Sequence, residues 1–327
     1  MKDLPSEFLD RLSRVVPANR YDAVVRTFDR EKPVSFRVNT LKAQVRDLLE
    51  SFKQQGFKTG NVPWMREAFL LQNRSQRDLE RTLEYERGLI YLQNLSSMVP
   101  PLVLDPRPGE TVLDLAAAPG SKTTQMAARM NNEGTLAAVD ENEVRIEKLK
   151  TNLVRQGVTM TETIRVNGAV VGNDRPERYD RVLLDAPCTA EGRFFTGNTR
   201  SYSYWRVERV RKTAREQKRL MLSALRALKV GGTLVYSTCT FAPEENEGVM
   251  AWVLERFPEQ VELQPVDLPF TNKTTGLVSW EGRTYPEMVR RGVRILPTDV
   301  MEGFFVARMV KRSSLPWNEI EIAGEGS

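Results

Sequence analysis

From Thr111 onward the chain repeats one pattern: a short apolar run, a turn, then a stretch with helical spacing. The runs are Val112-Leu113-Asp114-Leu115, Leu136-Ala137-Ala138-Val139-Asp140, Thr163-Ile164-Arg165-Val166, Arg181-Val182-Leu183-Leu184-Asp185 and Thr233-Leu234-Val235-Tyr236-Ser237. Helical patterns lie between them: one runs to Met130, one covers Val144–Gln156, and a long basic one covers 206–229 and is broken by Gly231-Gly232. Another, Glu244–Arg256, follows the last run. Short apolar runs alternating with helices build a parallel sheet covered on both faces. The expected fold class is α/β, a doubly wound, mostly parallel sheet over residues 88–312. Phe304–Val310 reads as a final edge strand.

The residues before this region read as a smaller N-terminal α+β domain, 1–87. Two short helices are expected over 5–30, a strand at Val34–Asn39, a helical face at Val45-Leu48-Leu49-Phe52 stopped by Gly56, and short strands over 57–72. Gly88–Leu104 reads as a connector that packs onto the next domain. The polar stretch 313–327 reads as a flexible tail.

Several classes of function are excluded. The 327 residues contain no histidine, so Ser-His-Asp and Cys-His catalysis and every histidine-ligated metal site are ruled out. Two cysteines, Cys188 and Cys239, are too few for a zinc cage or an iron–sulfur cluster, so no metal is expected. No apolar run approaches a membrane span and the N-terminus lacks the apolar stretch of a signal peptide, so a cytoplasmic protein is expected. The net charge of +5 is unevenly placed. Eleven basic residues between Arg193 and Lys229 face only Glu208 and Glu216, a local charge of +9 in a chain whose remainder is acidic.

Four constellations carry chemistry. Asp114 to Thr123, containing Ala116-Ala117-Ala118-Pro119-Gly120-Ser121-Lys122, stands at the carboxyl end of the first run, where open α/β sheets bind ligands. Small residues let the backbone approach a ligand, and the following helix presents free N–H groups. A tight turn with no ligand is the alternative. The spacing is neither Gly-x-Gly-x-x-Gly nor a complete phosphate-binding loop, which disfavours a dinucleotide or a nucleoside triphosphate. Asp140, ending the second run, is placed to accept the ribose hydroxyls of a nucleoside, or is a plain strand-end carboxylate. Together the two suggest a nucleoside cofactor without phosphates, S-adenosylmethionine. Asp185-Ala186-Pro187-Cys188 and Ser237-Thr238-Cys239-Thr240 put the two thiols at the ends of the fourth and fifth runs. A buried free cysteine is often only a small hydrophobe, but two on one edge point to chemistry.

These motifs resemble the Sun/nucleolar-protein family of RNA cytosine-5 methyltransferases. They are supported by Arg37–Lys42, Tyr91–Met98 and Glu302–Arg308, and the resemblance spans 34–311. The stretch from Ala118 to Gly134 is similar to bacterial enzymes acting on small-subunit rRNA. The resemblance implies a Rossmann-like S-adenosylmethionine-dependent methyltransferase domain with RNA as partner, rRNA ahead of tRNA. It implies Cys239 as the nucleophile at carbon 6 of cytosine and Cys188 as the group that helps remove the carbon-5 proton. It places Asp185 near ring nitrogen 3, where a protonated carboxyl stabilises the adduct, and Lys122 in the active site. Ala116, Ala117, Ala118, Pro119, Gly120, Ser121, Lys122, Asp140, Arg145, Asn167 and Asp185 are the residues expected at the cofactor. Asn167 departs from the family's usual aspartate; its amide can still hydrogen-bond adenine.

The basic segment then reads as an RNA surface. Phe194, Phe195, Tyr202, Tyr204 and Trp205 lie among its arginines, a combination that suits backbone tracking and base stacking. A solvated helix face is the alternative. Two other readings stand beside the enzyme: a non-catalytic RNA-binding ribosome assembly factor that keeps the fold, for which Asn167 argues, and a small-molecule methyltransferase. A monomer is expected.

Overall fold

The computed structural model describes residues 4–316. Helices α1 (Ser6–Val15) and α2 (Ala18–Arg26) come first. A four-stranded antiparallel sheet follows, from β1 (Ser35–Val38), β2 (Thr59–Asn61), β3 (Ala68–Leu71) and β4 (Ile90–Leu92), in the order β2-β3-β1-β4. Helix α3 (Val45–Gln54) covers it with Leu48 and Phe52, and ends where Gly56 takes φ +78°. The short helices α4 (Gln76–Glu80) and α5 (Leu83–Glu86) lead into β4. Phe36, Val38, Phe52, Phe69 and Ile90 form this sheet's own core.

Two features differ from the sequence reading. The segment read as a connector supplies β4, which pairs with β1 through Tyr91 opposite Arg37. Helices α1 and α2 join the larger core instead of the small one: Phe8, Leu12, Val24 and Phe28 pack with Trp205 and Phe241. Both helices are too short to bury their apolar stripe alone, and periodicity does not say which core receives it.

Helix α6 (Leu95–Leu104), capped by the Asn94 side chain, crosses to the second sheet. That sheet contains β5 (Thr111–Asp114), β6 (Thr135–Asp140), β7 (Thr161–Arg165), β8 (Tyr179–Asp185) and β9 (Leu228–Thr238) as parallel strands in the order β7-β6-β5-β8-β9. Helices α7 (Ser121–Arg129), α8 (Glu143–Gln156), α9 (Val171–Asp174), α10 (Val207–Ala227) and α11 (Glu247–Arg256) alternate with them. The chain leaves β5 toward β7 and returns to β8 on the other flank. The order therefore reverses between β5 and β8, where such sheets hold ligands.

The expected mixed α/β fold with a mostly parallel sheet is present. Helix α11 starts at Glu247 rather than Glu244, and two further details differ. Helix α10 stops at Ala227, not at the glycines, because β9 already begins at Leu228 and Gly231 takes φ +81° within it. The last strand is not an edge. β15 (Phe304–Lys311) lies antiparallel beside β9, and beyond it the sheet continues through β14 (Val293–Ile295) and β11 (Lys273–Thr275), with β10 (Val261–Gln264) also on β15. A separate hairpin pairs β12 (Ser279–Trp280) with β13 (Arg283–Thr284). Of the expected tail, Leu315 is buried in the larger core, and 317–327 lie outside the described residues. Among the described residues no helix is long and apolar enough to cross a membrane.

Candidate active site

The loop between β5 and α7 carries the small residues. Ala117 and Ala118 are buried, and Gly120 caps α7 at φ +104°. A Cβ there would stand 2.8 Å from Leu149 Cδ1, which that side chain could relieve by moving, so it is the dihedral that demands glycine. Thr123 donates to Asp114 Oδ2 at 2.7 Å. Burial nevertheless pushes the Asp114 carboxyl up to about 7, despite the Thr123 bond and the Lys122 charge.

Lys122 sits in the first turn of α7 with its side chain 9% exposed. Its Nζ lies 2.6 Å from Asp185 Oδ2 and donates to Ser97 Oγ of α6 at 2.8 Å. Asp185 ends β8, and its other oxygen accepts from Ser237 Oγ at 2.7 Å. Both oxygens of Asp185 thus take donors, one from the Lys122 ammonium and one from the Ser237 hydroxyl.

Strands β8 and β9 run parallel with Asp185 opposite Ser237, so the loops that leave them emerge side by side. They bring Cys188 Sγ to 3.3 Å from Cys239 Sγ, and the Cys239 N–H donates to Cys188 Sγ at 3.4 Å. The neighbouring Cys239 sulfur, burial and the Glu245 charge together push the Cys188 thiol well above its ordinary range. The thiols are fixed by close backbone approach: a Cβ on Gly192 would fall 2.1 Å from Gly303 O and 3.0 Å from Cys239 O.

A cleft of about 470 Å³ opens over these groups. Ala116, Ala117, Ala118, Pro119, Ser121, Lys122, Arg145, Asp185, Cys188 and Cys239 all line it. Asp140 ends β6 behind them and, like Gly120, is not part of the cleft lining; its buried carboxylate meets Arg145 Nη1 at 3.2 Å and accepts from the Asn142 N–H at 3.0 Å. Arg145 in turn donates to Ala118 O at 2.6 Å, tying Asp140 to the small-residue loop. Asn167 stands apart. It is exposed, donates to Glu141 Oε2 at 2.8 Å, caps its own turn through Ala169 N–H, and does not line the cleft.

Sequence reasoning missed part of the wall. Ser97, Arg193, Glu302 and Phe304 line the cleft, with Glu302 3.4 Å from Arg193. In the sequence, Tyr91–Met98 and Glu302–Arg308 stand only as motifs, without roles. Also missed was the support beneath the thiols. Glu245 accepts from the Thr189 N–H at 3.0 Å and from Gln217 Nε2 at 2.9 Å, and burial with the nearby Glu191 charge lifts it to about 8. A glutamate in a polar run beside a helix start gives no sign of such burial.

The aromatic loop needs correction. Phe194, Tyr202 and Trp205 are buried, not offered to RNA. Phe8 of α1 packs 4.9 Å from the Phe194 ring and 5.7 Å from Trp205, and Trp205 Nε1 donates to the buried Glu191 at 2.7 Å. Phe195 is half-buried and Tyr204 is 67% exposed. Arg206, Arg209, Arg211, Lys212, Arg215 and Arg219 do form an exposed face of α10 and its N-cap.

The sequence profile of the 16S rRNA methyltransferase RsmB/F family matches residues 101–310. The chain belongs to that family. The profile for the N-terminal domain of 16S rRNA methyltransferase RsmF matches residues 4–95, so the RsmB/F assignment covers both sheets and agrees with the Sun-family resemblance. A ribosomal RNA small subunit methyltransferase F from Pectobacterium atrosepticum is 38% identical over 321 residues, 96% of this chain and 64% of the relative. The chain thus spans about 64% of the length of that relative. A tRNA (cytosine(49)-C(5))-methyltransferase from Pyrococcus abyssi is 38% identical over 314 residues, 95% of this chain and 97% of the relative. Among solved structures, a methyltransferase homolog protein from Pyrococcus horikoshii superposes with a TM-score of 0.78 at 36% identity, covering 94% of this chain and all of that one.

Proposed function

We propose that this chain transfers a methyl group from S-adenosylmethionine to carbon 5 of a cytosine in RNA, with rRNA as the substrate, through a covalent adduct on Cys239. The observation that carries the proposal is the pair of thiols, 3.3 Å apart on adjacent parallel strand ends, opening on the cleft that the small-residue loop also lines.

The residues present fit the cofactor. The cleft has the volume of a small-molecule site. Ala116–Gly120 allow close backbone approach, Ser121 opens a helix N-terminus, and the buried Asp140 suits ribose hydroxyls. When bound, S-adenosylmethionine supplies an electrophilic methyl group on a sulfonium sulfur.

Carbon 5 of cytosine is a poor nucleophile until a thiolate adds to carbon 6. Cys239 adds there, and the electron pair of the ring double bond makes carbon 5 able to take the methyl group. Lys122 and Asp185 stand beside the thiols, and a proton for ring nitrogen 3 passes from the Lys122 ammonium by way of Asp185. Cys188 then has a timed role. While Cys239 carries charge, its neighbour is held as a thiol and donates to it. Once Cys239 is bonded to carbon, its like-charge penalty is gone and Cys188 gives its own proton to water in the open cleft. It takes the proton from carbon 5, the proton on ring nitrogen 3 returns by way of Asp185 to Lys122, the ring double bond re-forms, and Cys239 leaves as a thiolate.

The exposed basic face of α10 supports RNA as the partner. The RsmF relatives favour rRNA. The Pyrococcus abyssi relative, matched over 97% of its length, gives tRNA as the second reading. Asn167, the chief argument for a non-catalytic factor, stands off the cleft lining. The test is transfer of labelled methyl from S-adenosylmethionine to total RNA, followed by nucleoside analysis. The expected product is 5-methylcytidine, abolished in Cys239→Ala with cofactor binding intact; a different methylated nucleoside, or none from wild-type protein with assembled subunits included, would overturn the proposal.

A further inference from the structure

A second cavity, of about 480 Å³, adjoins the catalytic cleft. Leu92, Gln93, Asn94, Arg193 and Glu302 line both, so the two are chambers of one depression with the Arg193–Glu302 pair on the shared wall. Its far side is built from the segment between α2 and β1, with Arg30 and Lys32, and from the turn that follows Arg193.

That turn carries an aromatic ring to the chamber wall. Phe195 is half-buried, and its ring is held by its own turn: a Cβ on Gly197 would stand 2.4 Å from the ring tip, and the Asn198 N–H donates to Phe195 O at 2.9 Å. The turn is anchored to the N-terminal segment by Thr196 N–H to Phe28 O at 2.9 Å and Thr196 Oγ1 to Asp29 at 3.0 Å. Among the described residues nothing hydrogen-bonds the exposed Asn198 carboxamide. The Arg193 side chain is 62% exposed although ion-paired.

Arg30 pairs with Asp299 at 3.0 Å, Lys32 Nζ donates to Thr27 O, and Glu31 shares the lining, so Arg193, exposed beside Glu302, is the cation best placed for a phosphate. An aromatic ring on a turn held by hydrogen bonds, a carboxamide that offers both a donor and an acceptor, and an exposed arginine are the chemistry that holds one unstacked nucleotide. We propose that this chamber is the subsite for the nucleotide that flanks the target cytosine. Its base stacks on Phe195 and is read by Asn198, and the phosphate joining it to the target lies at Arg193. This rests on the RNA methyltransferase reading and adds to it a position at which sequence is discriminated next to the reacting base.

The test uses full-length protein with S-adenosylhomocysteine and fluorescent eleven-nucleotide oligouridine RNAs carrying one central cytidine. Matched probes have an abasic ribose immediately 5′ or 3′ of it. Wild-type protein is expected to lose about tenfold in affinity with one of the two abasic probes. Phe195→Ala should lose about the same with the intact probe and nothing more with the abasic one, while Phe195→Tyr keeps wild-type behaviour. Replacing the flanking base by each of the other three should change affinity in wild-type protein and much less in Asn198→Ala. An abasic penalty that is unchanged in Phe195→Ala, or absent in wild-type protein, overturns the subsite while leaving the methyltransferase reading intact. Wild-type protein that binds cofactor but none of these RNAs, nor rRNA, overturns both.

Discussion

The Lys122 ammonium lies 2.6 Å from Asp185 Oδ2, and the remaining oxygen of that carboxylate accepts from Ser237. The pair joins the helix that follows the cofactor loop to the strand that ends beside the thiols. Lys122→Met should therefore slow methyl transfer by about a hundredfold at saturating cofactor and RNA, the range for loss of a positioned proton-transfer group. Single-turnover rates would show it. A wild-type rate would mean that the pair only braces the fold.

The Asp114 carboxyl, lifted to about 7 by burial, predicts a pH dependence of cofactor binding. Below that pH the cleft floor is neutral; above it the floor carries a negative charge that attracts a sulfonium. S-adenosylmethionine affinity should rise by up to about tenfold between about pH 6 and about pH 8. S-adenosylhomocysteine, which lacks the charge, should show no such rise. Titration calorimetry on wild-type protein and Asp114→Asn checks both halves, and the variant should lose the pH step.

Stability carries the opposite sign. Between the unfolded carboxyl's ordinary value and about 7, folded Asp114 keeps a proton that the unfolded chain has released, so this residue's contribution to stability falls as pH rises through that window and levels off above it.

Gly192→Ala should damage catalysis more than folding. The added methyl would meet backbone of Gly303 and Cys239, and neither atom belongs to a flexible side chain. The displaced Cys239 loop predicts at least a tenfold loss in methyl transfer. Cofactor affinity should stay near wild type, because the cofactor loop lies on the other side of the cleft. Equal losses in both would contradict the placement.

Phe8→Ala tests the corrected view of the aromatic loop. Phe8 is fully buried against Phe28, Phe194 and Trp205. Its truncation should cost about 3–5 kcal/mol in unfolding free energy. It should also loosen the loop that carries Phe195, so RNA affinity should fall as well. Denaturant unfolding and RNA titration measure the two. A cost below about 1 kcal/mol would mean that α1 is not part of this core.

What could be read in advance follows from which signals are local. Four of the five parallel strands are apolar runs ended by small or acidic residues, so their order in the chain and the loops at their carboxyl ends, with Cys188 and Cys239 on one edge, were legible, while the place of Lys122 and Asp185 beside the thiols came from the resemblance. Strands β10, β11 and β14 were not, because three- and four-residue strands leave too little alternation to separate from loop. Missing them made β15 look like an edge. The burial of Phe194, Tyr202 and Trp205 was equally hidden. Aromatics among arginines suggest a stacking surface, and only the docking of Phe8 from far away in sequence shows that most of them face inward. Ser97 and Glu302 lie within recognisable motifs, but their role did not show, since their place at the cleft depends on how α6 and the turn before β15 pack.

The account stands on two thiols with separate duties, and covalent trapping tests that most directly. In the proposed mechanism Cys188→Ala would keep the nucleophile and remove the group that lets the product go. Mixed with S-adenosylmethionine and total RNA or small ribosomal subunits, it should yield an RNA–protein adduct that survives a denaturing gel. Sequencing the attached RNA should find one cytosine. The adduct should vanish in Cys188→Ala/Cys239→Ala. An adduct that persists without Cys239, or none from Cys188→Ala with either substrate while the cofactor still binds, would contradict the two-thiol mechanism.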